Sequence, residues 1–237
     1  MEGPEKMDIK CLASGSKGNC YIVDDSGTKI LIEAGISWKK IQIGLDFKTY
    51  EISAMLLSHS HRDHSGYTKD VAKAGIDCYM SQATKLETGL SGHRIKAVEA
   101  KKEFQIETTR ILPFQLIHDV ENLGFLIVSR TGEKLAYITD TMYCSYNFNG
   151  LTHIMIEANY AEDILRQNVI EGRVPNDLKN RLLRSHMSLE TCKDFLRLTD
   201  LSRVREIWLI HSSEGNSDTA RFRKEVQQLT GKPVYIP

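Results

Sequence analysis

The chain carries no net charge: 31 Lys and Arg residues balance 31 Asp and Glu residues over 237 positions. No global field therefore draws it to nucleic acid or to an anionic membrane, and an anionic ligand must be attracted by a local basic patch or by bound cations. No run approaches the roughly 20 apolar residues of a membrane helix, and the opening MEGPEKMDIK is charged where a signal peptide would be apolar. Cysteine is sparse and scattered, at Cys11, Cys20, Cys78, Cys144 and Cys192. An odd number with no CxxC pair argues against a disulfide framework and for thiols kept in a reducing compartment. The expectation is a soluble cytoplasmic protein. Linkers, low-complexity tracts and solenoid-length repeats are also missing, and the length suits one large domain or two small ones.

Histidine is scarce as well, with 8 in the whole chain, yet three of them fall within the six residues His59-Ser-His61-Arg-Asp63-His64. The cluster directly follows the apolar Met55-Leu56-Leu57, so a buried strand delivers it to a loop. Three imidazoles and a carboxylate at this spacing cannot all point one way. The first two histidines can reach one metal while Asp63 and His64 reach another. Neutral imidazole is the commonest zinc ligand, and carboxylate accepts zinc, manganese or iron.

Short β-branched or apolar runs separated by glycine-containing turns predict strands at 9–13, 21–24, 29–33 and 54–57. A second set is predicted at 104–107, 111–118, 123–129, 134–139, 153–158, 206–210 and 233–236. Helical patterns are read at 37–45 with Ser37 as N-cap, and at 68–74, 84–88, 162–170, 176–183, 189–198 and 217–229. The periodicity supports a mixed α and β chain and no more. Three strands end in a single ligand-type side chain: His118 after Ile111–Ile117, Asp140 after Ala136–Thr139, and His211 after Ile207–Ile210. Taken alone, each is an ordinary turn or surface residue; together with the hexapeptide they make a ligand set.

With the HxHxDH pattern at 59–64 and a His, an Asp and a final His following in that order, the chain resembles the metallo-β-lactamase-fold hydrolases. The resemblance implies an α+β fold, an αββα sandwich of two facing mixed sheets with helices outside, with residues 1–237 forming one domain. It implies two divalent cations, zinc ahead of manganese and iron behind both. His59, His61 and His118 would hold the first and Asp63, His64 and His211 the second, with Asp140 bridging them. A metal-bridging hydroxide would be the nucleophile, and Asp63 would both ligate and orient it. In Leu31-Ile-Glu33-Ala-Gly35 the family's usual Asp is replaced by Glu33, expected to support ligand geometry without binding metal.

The metal cluster defines a fold and hydrolysis but not a substrate. Glu157 in Glu-Ala-Asn-Tyr160, His186 in His-Met-Ser188, and His211 in His-Ser-Ser213 resemble elements of the ribonuclease Z-like phosphodiesterases. Ala13-Ser-Gly-Ser-Lys-Gly-Asn19 and the motif order resemble the YycJ/WalJ-type proteins, viewed as DNA 5′-exonuclease-like, over residues 8 to 236. Asp63, Glu157 and His186 are thus the expected catalytic set. His186 is expected at a helix N-terminus, there to bind the scissile phosphate or to protonate the leaving oxygen. Ser14, Ser16, Asn19 and Ser188 are the expected substrate-binding residues. Arg173, Lys179, Arg181 and Arg184 form a modest basic stripe, and Tyr143, Tyr146 and Phe148 either stack on bases or pack in the core. The leading expectation is a nuclease acting on DNA or RNA. The alternative is a small-molecule hydrolase of the same fold, a cyclic phosphodiesterase or a thioesterase.

Overall fold

The structure, a computed structural model, describes residues 6–237, so the first five residues of the charged N-terminal stretch lie outside the described residues. The described residues fall into two compact units. One holds the chain up to Gln115 together with Val120–Glu133; the other holds Leu116–Asp119 with Lys134–Pro237.

In the first unit, β1 (Asp8–Ala13), β2 (Cys20–Asp24), β3 (Lys29–Ile32), β4 (Ala54–Leu56), β5 (Cys78–Ser81) and β6 (Ile95–Val98) form a six-stranded sheet in chain order. The first pairings are antiparallel, and β3 through β6 are parallel. The helices α1 (Trp38–Gly44), α2 (Arg62–Ser65), α3 (Thr68–Lys73) and α4 (Gln82–Thr88) connect them. Leu31, Ile41, Met55, Leu57, Val71 and Met80 are fully buried in one apolar cluster, and that burial orders short strands whose propensity alone is weak. Ser37 and Ser81 cap α1 and α4 by accepting from Lys40 N and Thr84 N. The antiparallel pair β7 (Phe104–Ile106) and β8 (Thr109–Leu116), with β9 (Asn122–Val128), belongs to a second sheet.

In the second unit, β10 (Lys134–Ile138), β11 (His153–Glu157), β12 (Glu206–Ile210) and β13 (Val234–Tyr235) run parallel, with Ile138 opposite Ile156 and Glu157 opposite Ile210. All five residues of β11 are buried, as expected for a parallel strand covered on both faces. The helices are α5 (Glu162–Ile170), α6 (Asn176–Ser185), α7 (Leu189–Leu198) and α8 (Thr219–Thr230). Ser188 and Asp218 cap α7 and α8, and Gly231 ends α8 at φ 67°. Two mixed sheets with helices make an α+β fold, as expected. Most predicted elements lie within two residues of the observed ones; β5 and β6 are additional, four residues each with no clean alternation to betray them. All five cysteines are unpaired, and among the described residues no helix is long and apolar enough to cross a membrane.

Candidate metal and catalytic site

Parallel strands aligned in register bring the residues after their C-terminal ends to one edge of a sheet. In the first unit Ile32 pairs with Leu56, which sets Glu33 beside the segment leading into His59. Glu33 sits at φ 64°, a left-handed backbone that an L-residue adopts at a cost of about 1–3 kcal/mol and that clusters at functional sites. Its side chain is fully buried; Oε2 accepts from Ser58 N at 3.3 Å, and Oε1 lies 3.6 Å from His64 Nδ1. The His59 ring stands 4.8 Å from that of His61 and 4.2 Å from that of His64. His59 Nδ1 is engaged by Ser58 Oγ at 2.8 Å, the kind of outer hydrogen bond that fixes which ring nitrogen binds a cation. His61 is the N-cap of α2, and Asp63 and His64 lie within that single turn, so helical geometry splays them apart. Asp63 Oδ2 is 3.5 Å from His64 Nε2.

The loop expected to meet substrate braces this cluster through Asn19. Asn19 is fully buried, with Oδ1 accepting from Gly15 N at 2.9 Å and Nδ2 lying 3.1 Å from both Gly15 O and His64 Nε2. Its backbone N donates to Asp63 O at 2.8 Å, and its carbonyl accepts from Gly35 N at 2.9 Å. Asn19 as a substrate-binding residue is therefore corrected: a side chain this enclosed holds His64 and cannot reach a phosphate. Ser14 Oγ accepts from Tyr21 Oη at 2.8 Å, and Ser16 is exposed.

In the second unit Asp140 follows β10, Glu157 ends β11 and His211 follows β12, three adjacent parallel strands. Asp140 and His211 both take left-handed backbones, at φ 46° and 55°. Glu157 is a buried hub. Oε2 accepts from Thr141 N at 2.9 Å and Met187 N at 3.0 Å, and Oε1 lies 2.6 Å from His186 Nδ1. The donor atoms of Asp140, Glu157, His186 and His211 all fall within 4.8 Å of one another. The short Glu157–His186 contact pairs those two, so Asp140 and His211 are the members of this quartet with ligand character. His211 Nε2 is 3.6 Å from Asp140 Oδ1. His118 Nε2 is 3.9 Å from Asp140 Oδ2, while His118 Nδ1 is held by Ser185 O at 2.8 Å.

Burial lowers the His118 pKa, against the pull of Asp140 and Asp119, which favours the neutral imidazole that binds metal. Burial acts the same way on His186, but the charge and hydrogen bond of Glu157, with Asp140, outweigh it and raise the value. Glu157 is held below the ordinary carboxylate value: burial opposes this, and His186 overcomes it. The buried pair is thus poised as imidazolium and carboxylate.

Two expectations in this unit are corrected. His186 stands two residues before Ser188, the N-cap of α7, and does not occupy that helix N-terminus itself; α6 runs on to Ser185 and His186 is its C-cap, donating its N–H to Leu182 O at 3.0 Å. The C-terminal end of α6 favours the protonated ring. Ser188 is a buried N-cap whose Oγ accepts from Thr191 N at 3.1 Å, so its hydroxyl serves α7 and not a substrate. Tyr146 stacks on buried Phe148, while Tyr143 is exposed and lines with Tyr146 a cavity of about 450 Å³. Asn159 has no role predictable from the sequence alone. It is buried, donates from Nδ2 to His211 O at 2.9 Å, lies 3.1 Å from His211 Nδ1, and its own carbonyl accepts from Ser213 N. Its position between Glu157 and Tyr160 in the Glu-Ala-Asn-Tyr motif is the one available signal.

Imidazoles held from behind by hydroxyl or carbonyl groups, with buried carboxylates beside them, are the donor chemistry of a borderline divalent cation. Comparison with known proteins agrees. Residues 28–212 match the family described as Beta-lactamase superfamily domain. The exodeoxyribonuclease WalJ of Streptococcus pneumoniae is 30% identical over 87% of this chain and 81% of its own. The exodeoxyribonuclease YycJ of Bacillus anthracis is 26% identical over 94% of this chain and 89% of its own. The metallo-β-lactamase fold protein YhfI of Bacillus subtilis superposes with a TM-score of 0.73 at 16% identity, covering 98% of this chain and 96% of its own.

Proposed function

The chain belongs to the β-lactamase superfamily as a hydrolase of the metallo-β-lactamase fold, and from that premise we propose that it is a cytoplasmic phosphodiesterase acting on nucleic acid, a nuclease of the DNA 5′-exonuclease kind. The observation that carries this is the buried Glu157–His186 pair, 2.6 Å apart and beside Asp140. A hydrolase of thioesters has no need of it, whereas a phosphodiester needs a proton delivered to its leaving oxygen. The names of the WalJ and YycJ relatives support the same substrate class.

In this reading residues 1–237 act as one catalytic domain. His59, His61, Asp63, His64, His118, Asp140 and His211 hold two divalent cations, zinc first. When bound, such ions supply Lewis-acid activation of water and neutralise charge at the phosphate. The protein's own groups do the rest. Glu33 keeps the His64 ring in place through its Oε1. Glu157, a positioning residue, accepts from His186 Nδ1 and so keeps the proton to be given on Nε2. His186 donates that proton to the leaving oxygen, a contribution of about 10²–10⁴ in rate. Stacking of the His186 and His211 rings, with centroids 5.5 Å apart at 8°, limits rotation of the donor.

The test is turnover of bis(p-nitrophenyl) phosphate and of end-labelled single- and double-stranded DNA and RNA with Zn or Mn added. Cleavage of the chromogenic ester but of no polynucleotide would move the substrate to a small phosphodiester. Cleavage of none would overturn the reading.

A further inference from the structure

We infer that the cavity beside His118, walled by α6, is a track for the sugar–phosphate backbone of a single-stranded polynucleotide; the inference rests on the phosphodiesterase reading above. The cavity measures about 560 Å³ and is lined by His118, Asp119, Asp177, Asn180, Arg181 and Arg184. The four α6 residues stand at i, i+3, i+4 and i+7, one face of the helix. Elsewhere on the helix Leu182 is buried with Tyr160, Leu165 and Val174, which fixes α6 and leaves the polar face to the cavity.

Charge along that face is graded. Asp177 lies in the first turn and Arg184 in the last, seven residues and about 10 Å apart along the axis. Arg181 Nε lies 3.9 Å from Asp119 Oδ2, and the other oxygen of Asp119 lies 3.0 Å from His118 Nε2. Arg184 makes no ion pair among the described residues. The uncompensated guanidinium is therefore at the inner end of the face. One residue on, Ser185 holds His118 through its carbonyl, and two residues on is His186.

A strand whose scissile phosphate lies at His186 would place the adjoining phosphates at Arg184 and then Arg181, whose planar forks match phosphate oxygens bidentately. A lone mononucleotide has no phosphate to give them. An unpaired strand can bring its backbone into a cavity of about 560 Å³ without carrying a second strand against the α6 wall. The occupant is thus an unpaired strand longer than the nucleotide being cleaved.

The experiment measures binding of the full-length protein to a short fluorescent single-stranded oligonucleotide with phosphorothioate linkages, by anisotropy across a salt series. Replacing both Arg181→Gln and Arg184→Gln should weaken binding and flatten the dependence of log K on log salt by about 1.4, near 0.7 for each phosphate no longer neutralised. Arg181→Lys with Arg184→Lys should keep the slope. Circular dichroism checks the fold; if the double variant misfolds, Arg184→Gln alone should lower the slope by about 0.7. An unchanged slope in a folded Gln variant overturns the track. Wild-type turnover of bis(p-nitrophenyl) phosphate separates the two ideas. If the ester is cleaved while the slope is unchanged, the phosphodiesterase reading stands and the track falls. If neither ester nor polynucleotide is cleaved while the slope drops, the strand does bind at Arg181 and Arg184, but the phosphodiesterase reading falls and with it the track's role in feeding a scissile phosphate to His186.

Discussion

The histidine cluster of the N-terminal unit comes from one hexapeptide, whereas the polar cluster of the C-terminal unit comes from five places in the chain. His59, His61, Asp63 and His64 share a loop and one helical turn, and backbone hydrogen bonds from Asn19 N to Asp63 O and from Ala34 N to His64 O brace that turn, with Gly35 N in turn holding the Asn19 carbonyl. His118, Asp140, Glu157, His186 and His211 each terminate a different element, and a single carboxylate, Glu157, ties three of those segments together. A contiguous motif depends on backbone geometry; a dispersed one depends on a buried hub. The two should therefore fail differently when disturbed.

The largest contrast is expected in activity. His61→Ala should abolish both metal loading and turnover, because it removes a proposed ligand. His186→Ala should lower turnover of bis(p-nitrophenyl) phosphate by about 10²–10⁴ while metal content, measured on the purified protein, stays at the wild-type level. Wild-type turnover in His186→Ala would remove the proton-donor role and with it the functional half of the comparison.

Stability comes next. Glu157→Ala leaves His186 and the N–H groups of Thr141 and Met187 without their shared acceptor in a buried place, at a cost of about 3–5 kcal/mol. Glu33→Ala removes an acceptor of Ser58 N and should cost about 1–3 kcal/mol. The chain has two tryptophans, Trp38 in the N-terminal unit and Trp208 in the C-terminal unit. Urea unfolding of Trp38→Phe and Trp208→Phe backgrounds reports each unit separately. Equal losses for the two glutamates would refute the hub.

The same contrast governs what the sequence could reveal. His59 to His64 was legible because its ligands are neighbours in the chain. His118, Asp140 and His211 were legible because each follows an apolar strand. Asn159 and the Ser185 carbonyl were not, since their partners lie 52 and 67 residues away and no local pattern encodes such a hydrogen bond. His186 is expected at the start of the helix at 189–198 yet caps the end of the helix before it, because nothing after Leu183 stops that helix: Arg184 propagates it, and the Ser185 hydroxyl bonds back to Arg181 O at 2.7 Å. Ser188 and Asn19 were misread because polar residues near a site are as readily caps and braces as contacts to substrate.

Backbone dependence in the N-terminal cluster has its own test. A Cβ on Gly35 would lie 1.6 Å from Asp63 O and 2.7 Å from Asn19 N, so Gly35→Ala must push the braced loop off the histidines. A loss of about 1–3 kcal/mol is expected, with weakened metal binding. Gly215→Ala in the C-terminal unit meets nothing within 4 Å and serves as the neutral control. A silent Gly35→Ala would mean that the loop is not braced by this contact.

The smallest effects belong to the surface, where the two units should behave alike. In the C-terminal unit Arg221 donates to Glu225 at 2.7 Å and to Asp163 at 2.6 Å, and Lys193 joins Glu225 at 2.6 Å. The Arg221 hydrogen bonds hold both carboxylates below their ordinary values of 4.5 and 3.8, with Lys193 adding to the effect on Glu225. In the N-terminal unit Lys29, at 2.7 Å, does the same for Glu51. A lowered folded pKa means a contribution that is present above the unfolded value and lost as pH falls through the folded one. Acidification below about 4.5 should therefore erode both networks, and Arg221→Gln should remove that part of the slope seen by Trp208 but not by Trp38. Because these side chains are partly exposed, each pair in the Arg221 network is worth at most about 1 kcal/mol, and added salt should shrink the effect. An acid dependence at Trp208 that survives both Arg221→Gln and high salt would assign the sensitivity to the buried hub instead, and would enlarge the difference between the units.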